Sequence, residues 1–281
     1  METIQTVSSM KKTVAEWKSE GLSVGLVPTM GFLHEGHMSL IRQAVSDNDR
    51  VVVSVFVNPM QFGENEDFGR YPRDLDRDSA MCAKEGADVI FSPPASEMYP
   101  SGFCGYVDLA AMTDGLCGAK RPGHFRGVCT VVMKLLNIAG PDRAYFGQKD
   151  AQQLAVVKRM AEDFNMDVEI VGMPIVREAD GLAMSSRNSY LSGEERAAAL
   201  SINRALAEAA KLCGGGCRDV RHIKNRIKAV LSGEPLLRVD YIEVAGMDTM
   251  LPLDMLDGRA LCAVAVYAGK TRLIDNVVLE A

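Results

Sequence analysis

Residues 51–57 read VVVSVFV, a run that is apolar on both faces of an extended chain. This pattern is typical of a central strand in a parallel sheet that is covered on both sides. Shorter runs of the same character precede and follow it, and we expect them to be further strands of one sheet. They are Ser23–Val27, Asp88–Phe91, Arg143–Phe146 and Val168–Val171.

Helical patterns alternate with these strands. They cover Met38–Val45, Asp74–Lys84, Val128–Ile138 and a stretch from Asp150 to about Phe164. Strands that alternate with helices indicate βαβ units. The fold class predicted for this part of the chain is therefore α/β, with a Rossmann-like, doubly wound parallel sheet.

The pattern changes after about residue 177. Two helices are predicted first, at Gly193–Leu212 and Asp219–Leu231. Three strand-like segments follow, at Val239–Val244, Leu261–Tyr267 and Leu273–Leu279. We expect a Rossmann-like domain at residues 1–176 and a second, smaller α+β domain at residues 177–281.

Composition narrows the class of protein. The 281 residues are 47% hydrophobic and 24% charged, which excludes a disordered chain or a coiled coil. The net charge of −6 argues against nucleic acid as a partner, since such proteins need a basic face. Apolar runs such as 51–57 are too short to span a bilayer, and the first twenty residues lack a secretory signal. A cytoplasmic protein without a membrane partner is expected.

The cysteines and the local charge refine this expectation. Seven scattered cysteines fit free thiols in a reducing compartment, and the pair Cys213 and Cys217 lacks a second pair at zinc spacing. We therefore predict no metal site. Residues 115–141 contain Lys120, Arg121, Arg126 and Lys134 but no acidic residue, so an anion would be attracted locally despite the net charge.

The segment that follows the Ser23–Val27 strand reads PTMGFLHEGH at positions 28–37. His34 and His37 are three residues apart at the start of a helix, so their side chains project to one side. Free N–H groups and the helix dipole make such a terminus a phosphate site, and Gly36 lets a ligand approach the backbone. The alternatives are a capping turn with incidental histidines and a metal pair.

Met184-Ser185-Ser186-Arg187 is a second candidate segment. Its hydroxyls and guanidinium could hold the outer phosphates of ATP on a mobile loop, although an ordinary polar turn has the same composition. The chain contains neither a G-x-x-x-x-G-K-[ST] phosphate loop nor a G-x-G-x-x-G dinucleotide fingerprint. A nucleotide would have to be held in another way.

Together these segments resemble the nucleotidylyltransferase superfamily, and more closely the pantoate–β-alanine ligase family. Six segments carry this resemblance in the family's order: VPTMGFLHEGH (27–37), FVNPMQFG (56–63), YPR (71–73), RPGHFRGV (121–128), FGQKDAQQL (146–154) and MSSRNSYLS (184–192). No segment of the last eighty or so residues contributes. Gln148 stands where the family more often has Glu.

The resemblance implies an ATP-dependent ligase that condenses (R)-pantoate with β-alanine through a pantoyl adenylate, releasing AMP and pyrophosphate. ATP would be a co-substrate together with Mg²⁺, and the enzyme would be a homodimer. The first domain would bind ATP and pantoate, and the second would act as a lid. Another nucleotidylyltransferase of the same superfamily, or a non-catalytic nucleotide-binding module, remains an alternative.

The resemblance also assigns residues. His37 (as proton donor), His34, Lys149 and Arg187 would be catalytic. Gln61 and Gln153 would hold pantoate. ATP would contact Met30, Gly31, Phe32, Leu33, His34, Glu35, Gly36, His37, Gly147, Gln148, Lys149, Asp150, Val176, Met184, Ser185, Ser186 and Arg187.

Three further groups have alternative roles that the sequence leaves open. Arg121, His124 and Arg126 could bind a carboxylate or phosphate, or form a solvated basic loop. Asp78 could help to hold Mg²⁺ or could face solvent from its helix. Asp150 could accept from a ribose or cap the helix that it precedes.

Overall fold

A computed structural model describes residues 1–64 and 66–281. The apolar run at 51–57 contributes a central strand of a parallel sheet whose order, within the described residues, is β1-β4-β3-β2-β5-β6. The bounds of these strands are β1 (Glu2–Ile4), β2 (Val24–Thr29), β3 (Arg50–Val55), β4 (Val89–Phe91), β5 (Arg143–Gly147) and β6 (Glu169–Met173). The predicted α/β class and parallel sheet are confirmed. The edge strand β1 was not predicted, because three residues carry no periodicity.

Helices connect these strands. They are α1 (Val7–Ser19), α2 (Glu35–Asp47), α3 (Leu75–Lys84), α4 (Ala95–Met98), α5 (Leu116–Lys120), α6 (His124–Ala139) and α7 (Ala151–Asp163). Residues of α2 pack with Val51 and Val53 in one apolar cluster. Val52 is also fully buried, and its side chain points to the opposite face because successive strand residues alternate. Both faces of the sheet are therefore covered.

Contacts divide the chain into two compact units. The first comprises residues 1–109, 121–148 and 156–174, and the second comprises residues 110–120, 149–155 and 175–281. Two short segments thus belong to the second unit although they precede residue 176 in sequence. The two units are therefore not separated by a single boundary along the chain.

The second unit is built on the antiparallel sheet β7-β8-β9. Its elements are α8 (Gly193–Gly214), α9 (Val220–Leu231), β7 (Leu237–Gly246), β8 (Arg259–Ala268) and β9 (Thr271–Glu280). α8 begins at the predicted residue because Ser192 and Glu195 form a capping box, with each side chain accepting the other's backbone N–H at 3.1 and 2.9 Å. The predicted second, smaller α+β part is confirmed.

No helix in the described residues is long and apolar enough to cross a bilayer.

The loop between β2 and α2 is held by a carboxylate from α3. Asp78 is fully buried, and its two oxygens accept the backbone N–H groups of Phe32 at 2.7 Å and Leu33 at 2.8 Å. Burial raises the pKa of this carboxyl, although the two N–H donors and the Arg77 charge act in the opposite direction. The solvent-facing alternative for Asp78 is therefore wrong. Its carboxylate thus provides acceptors for two backbone N–H groups that lie beyond the end of β2 and have no partner strand there.

The substitution Asp78→Asn should destabilise the protein. An amide offers one acceptor where two N–H groups need one each, so one buried donor loses its partner, at a cost of about 1–3 kcal/mol. Urea denaturation followed by circular dichroism measures this loss. Asp76→Asn, the same change at an exposed site on the same helix, should cost no more than about 0.5 kcal/mol. Equal stability of the two variants would show that the carboxylate does not hold the loop.

Candidate active site

Three adjacent strands of the first unit end at one edge of the sheet, and a predicted site segment follows each of them. Gln61 follows β3, the His34–His37 pair follows β2, and Gln148 follows β5. Strand order reverses at β2, whose neighbours are β3 on one side and β5 on the other. In open parallel sheets, ligands bind outside the carboxyl ends of the strands at such a reversal.

His34 and His37 lie at the first turn of α2, which begins three residues earlier than predicted. The backbone N–H of His34 donates to Nδ1 of His37 at 3.3 Å, and the two ring centroids are 4.1 Å apart. Because Nδ1 accepts this bond, the neutral ring of His37 carries its proton on Nε2. The pair thus presents a ring N–H donor at the positive end of a helix dipole, as a phosphate site requires.

The preceding turn depends on an unusual backbone. Gly31 and Phe32 have positive φ angles of 80° and 50°. A Cβ atom on Gly31 would lie 2.9 Å from Oδ2 of Asp78. Glycine is therefore required at position 31, both for its φ angle and for the approach of the carboxylate. Arg77 adds a bond from its guanidinium to the carbonyl of Leu33 at 2.9 Å.

Gln61 ends a short 3-10 turn at Pro59–Gln61 and is buried. Asn58 organises this turn: its Nδ2 donates to Oε1 of Gln61 and to the carbonyl of Gly127, both at 3.0 Å. A Cβ atom on Gly127 would lie 2.3 Å from the carbonyl oxygen of Met60, so only glycine lets α6 approach the turn. The amide oxygen of Gln61 thus accepts from Asn58, and its Nε2 donates to Sδ of Met30 at 3.2 Å.

The basic cluster after β4 is paired with an acidic residue. Arg121 donates from Nε and Nη2 to the two carboxylate oxygens of Glu66, at 2.7 and 2.5 Å. His124 lies between Nη1 of Arg121 at 3.0 Å and the carbonyl of Gln61 at 2.9 Å. The guanidinium only donates and the carbonyl only accepts, so these contacts specify a neutral His124 with its proton on Nδ1.

This pairing changes the charge of the cluster. Burial would raise the pKa of Glu66, but the hydrogen bonds and charge of Arg121 outweigh it and lower that pKa. Arg126 pairs with Asp108 at 2.7 Å, and Lys120 lies 3.9 Å from Asp240. Three of the four basic residues at 115–141 thus have carboxylate partners from other segments. Arg121 and His124 both bond to the backbone carbonyl of Gln61, so they do not form a solvated loop.

In the second unit, Lys149 and Asp150 lie in the 3-10 turn Gln148–Asp150, which follows Gly147 at the end of β5. Nζ of Lys149 is 3.7 Å from Oδ2 of Asp150. The next residues include Gln153, which is half-buried, and Gln152, which is buried. Gln152 bonds to backbone groups of Cys117, Met112 and Gly115. The two neighbouring glutamines thus differ in environment, which their sequence does not reveal.

The other predicted ATP-binding residues of this unit lie on one hairpin and the turn after it. Val176 and Met184 are brought together, because the carbonyl of Val176 accepts the N–H of Met184 at 3.0 Å. Ser185 then caps the 3-10 turn Ser186–Tyr190, accepting the N–H of Arg187 at 3.3 Å. We refer to residues 176–184 as the 176–184 hairpin. Val176 and Met184, both predicted to contact ATP, lie at its two ends.

No group of three or more His, Cys, Asp or Glu side chains among residues 1–64 and 66–281 is placed to hold a metal ion. Asp78 is fully buried, its two oxygens accept two backbone N–H groups, and it belongs to no such group in the described residues. Cys213 and Cys217 are both free thiols.

Sequence reasoning missed several residues that hold the predicted ones in place. Asn58 precedes a proline, a combination that indicates a turn and could have identified it. Asp275 and Asn276 interrupt an otherwise apolar strand, LIDNVVL, and such polar residues in a strand need buried partners. The partner of Asp78 is 46 residues away, and no local pattern indicates it.

Comparison with known proteins identifies the family. The model of the family described as pantoate-beta-alanine ligase matches residues 2–278. A relative named pantothenate synthetase, from Ruminiclostridium cellulolyticum, is 55% identical over 98% of both chains.

Solved structures give the same result. The pantothenate synthetase of Thermus thermophilus superposes with a TM-score of 0.94 at 45% identity over 99% of both chains. The pantoate-beta-alanine ligase of Francisella tularensis, solved with beta-gamma ATP and β-alanine, has a TM-score of 0.82 at 33% identity over 99% of this chain and 97% of that one. The chain belongs to the pantoate–β-alanine ligase family, whose members are also named pantothenate synthetases.

Proposed function

We propose that this ligase condenses (R)-pantoate with β-alanine in two steps, with ATP as the source of energy. In the first step a carboxylate oxygen of pantoate attacks the α-phosphorus of ATP, and pyrophosphate leaves. In the second the amine of β-alanine attacks the acyl carbon of the pantoyl adenylate, and AMP leaves. The observation that carries this proposal is the His34–His37 pair at the start of α2.

The first step moves negative charge onto the bridging oxygen of the leaving pyrophosphate. A donor that is held in place before the reaction stabilises this charge without reorganisation. The backbone N–H of His34 donates to Nδ1 of His37, so the ring proton of the neutral imidazole lies on Nε2, the nitrogen that is proposed to donate to the phosphates. His37 is the proposed proton donor, with His34 as a second contact to the triphosphate.

Other residues contribute to binding. The remaining residues of 30–37 contact ATP through the loop that Asp78 holds. In the second unit, Lys149 and Arg187 supply positive charge to the phosphates, Ser185 and Ser186 supply hydroxyls, and Val176 and Met184 contact the adenine side. The segment Gly147–Asp150 contacts the nucleoside. Gln61 and Gln153 hold pantoate, since an amide both donates to a carboxylate and accepts from a hydroxyl.

Mg²⁺ is proposed to enter as part of its complex with ATP. Magnesium is usually bound through substrate phosphates and few protein carboxylates. The described residues contain no cluster that would hold the ion independently. The substrate of the first step is then MgATP.

The two-step reaction predicts exchange of label from pyrophosphate into ATP. Exchange should require pantoate but not β-alanine, because the adenylate forms, and reverses, before the amine is needed. The assay follows radiolabelled pyrophosphate in ATP with wild-type enzyme, with and without each substrate. Turnover to pantothenate without any such exchange would contradict an adenylate that forms first.

The role of His37 can be divided between its two ring nitrogens. His37→Asn keeps an acceptor near Nδ1 but loses Nε2–H, so adenylation should fall about 10²–10³-fold, as for other lost transition-state donors. His37→Gln places an amide N–H near Nε2 and should recover part of the rate. Rapid-quench measurement of adenylate formation, with the Kd of ATP measured separately, provides the comparison.

Binding of ATP should change far less than the rate in His37→Asn. The control His222→Ala alters an exposed histidine on α9 and should leave both values unchanged. Equal losses of rate and affinity in His37→Asn would mean that His37 only binds.

We also propose a homodimer located in the cytoplasm. All seven cysteines are free thiols, which supports a reducing compartment. Light scattering should give a mass of twice 30.5 kDa. A single-chain mass at micromolar concentration would contradict the dimer, and secretion of the native protein would contradict the location.

A further inference from the structure

Strand β9 carries two adjacent buried polar residues in the middle of an apolar sequence. Asp275 is 4% exposed and Asn276 is 3% exposed. Side chains of adjacent strand residues point to opposite faces, so the two serve different neighbours. Burial of a carboxylate or an amide is unfavourable unless hydrogen bonds replace those to water. Their partners therefore indicate what this strand holds.

Asp275 holds the 176–184 hairpin. Its carboxylate accepts two bonds from Arg177, at 2.6 Å from Nη1 and 3.0 Å from Nη2. Nη1 of Arg177 also donates to the carbonyl of Gly181 at 3.2 Å, across the hairpin. A bidentate pair of this kind specifies orientation as well as proximity. Because Arg177 directly follows Val176, the ion pair fixes the base of the hairpin where Val176 bonds to Met184.

Asn276 holds the segment that carries Lys149. Its Nδ2 donates to the backbone carbonyl of Lys149 at 3.0 Å. This bond fixes the peptide at which the lysine side chain begins, within the 3-10 turn Gln148–Asp150. The side chain of Lys149 is itself only 20% exposed, so the position of its backbone strongly limits the position of Nζ.

We propose that Asp275 and Asn276 are positioning residues for ATP, which support from one strand the two segments that bind it in the second unit. Asp275 acts through Arg177 on Val176 and Met184, and Asn276 acts through the backbone of Lys149 on its ammonium group. The proposal rests on the proposed ATP-binding roles of those residues. A shift of about 1 Å in a positioning group can reduce a rate about 10²-fold, so the effect is measurable.

The first test is a double-mutant cycle between Asn276→Leu and Lys149→Met. Asn276→Leu removes the donor at similar size and should raise the KM for ATP about 10-fold in pantoate-dependent exchange. In the Lys149→Met background the same change should add less than about 2-fold, since Asn276 acts through that side chain. Additive effects of the two substitutions would overturn the proposal for Asn276.

The second test uses Arg177→Lys and Asp275→Asn. Both retain much of the shape of the pair but lose the bidentate contact, so they remain informative if Asn276→Leu does not fold. The ratio of kcat/KM for ATP to that for GTP should fall about 10-fold, because Val176 is proposed to lie against the adenine. Asn276→Leu should leave this ratio unchanged. An unchanged ratio in both Arg177→Lys and Asp275→Asn would overturn the proposal for Asp275.

A matched control separates positioning from general destabilisation. Glu243→Gln breaks the 2.7 Å pair between Lys224 of α9 and Glu243 of β7, elements that carry none of the proposed ATP-binding residues. It should lower the Tm without changing the KM for ATP. If Glu243→Gln raises that KM as much as Asn276→Leu does, the effect is one of stability and the proposal fails. Absence of exchange in the wild-type enzyme would instead contradict the proposed function.

Discussion

A chain segment that leaves a buried sheet takes its backbone N–H and carbonyl groups out of the ladder, and each needs a new partner. In this protein, buried polar side chains supply such partners at segments that carry the proposed site residues. Asp78 accepts the N–H groups of the loop before His34, and Asn58 donates to a carbonyl of α6. In the second unit, Gln152 accepts the N–H of Cys117, and Asn276 donates to the carbonyl of Lys149. Within each unit, the positions of the proposed site residues depend on these bonds.

The distribution of charge follows a related rule. The basic run at 115–141 contains no acidic residue, yet Arg121 is held by Glu66 and Arg126 by Asp108. A guanidinium that already pairs with a carboxylate attracts an anion weakly at a distance. In the proposed function, selective binding of phosphate depends instead on short-range donors at the first turn of α2, which include the ring of His37. This arrangement is compatible with an overall charge of −6.

The parts of the fold that sequence could predict are those that depend on local periodicity. Strand β3 and helix α8 were predicted because the apolar run of the first and the helical pattern of the second each lie in consecutive residues. Asp78 could not be assigned, because its bonds to Phe32 and Leu33 join residues that are 46 and 45 positions apart. The pair Gln152 and Gln153 shows the same limit, since helix rotation relative to distant segments decides which glutamine is buried. The family resemblance identified candidate residues, whereas the residues that hold them in place emerged only from the three-dimensional contacts.

The contacts of β9 have a consequence for synthesis on the ribosome. Arg177 precedes its partner Asp275 by 98 residues, and Lys149 precedes Asn276 by 127. At about 5–20 residues per second, the hairpin emerges some 5–20 s before the strand that fixes it. During that interval the proposed nucleotide-binding segments of the second unit lack their support. The growing chain therefore orders these proposed ATP-binding segments late, after all six described strands of its parallel sheet have been translated.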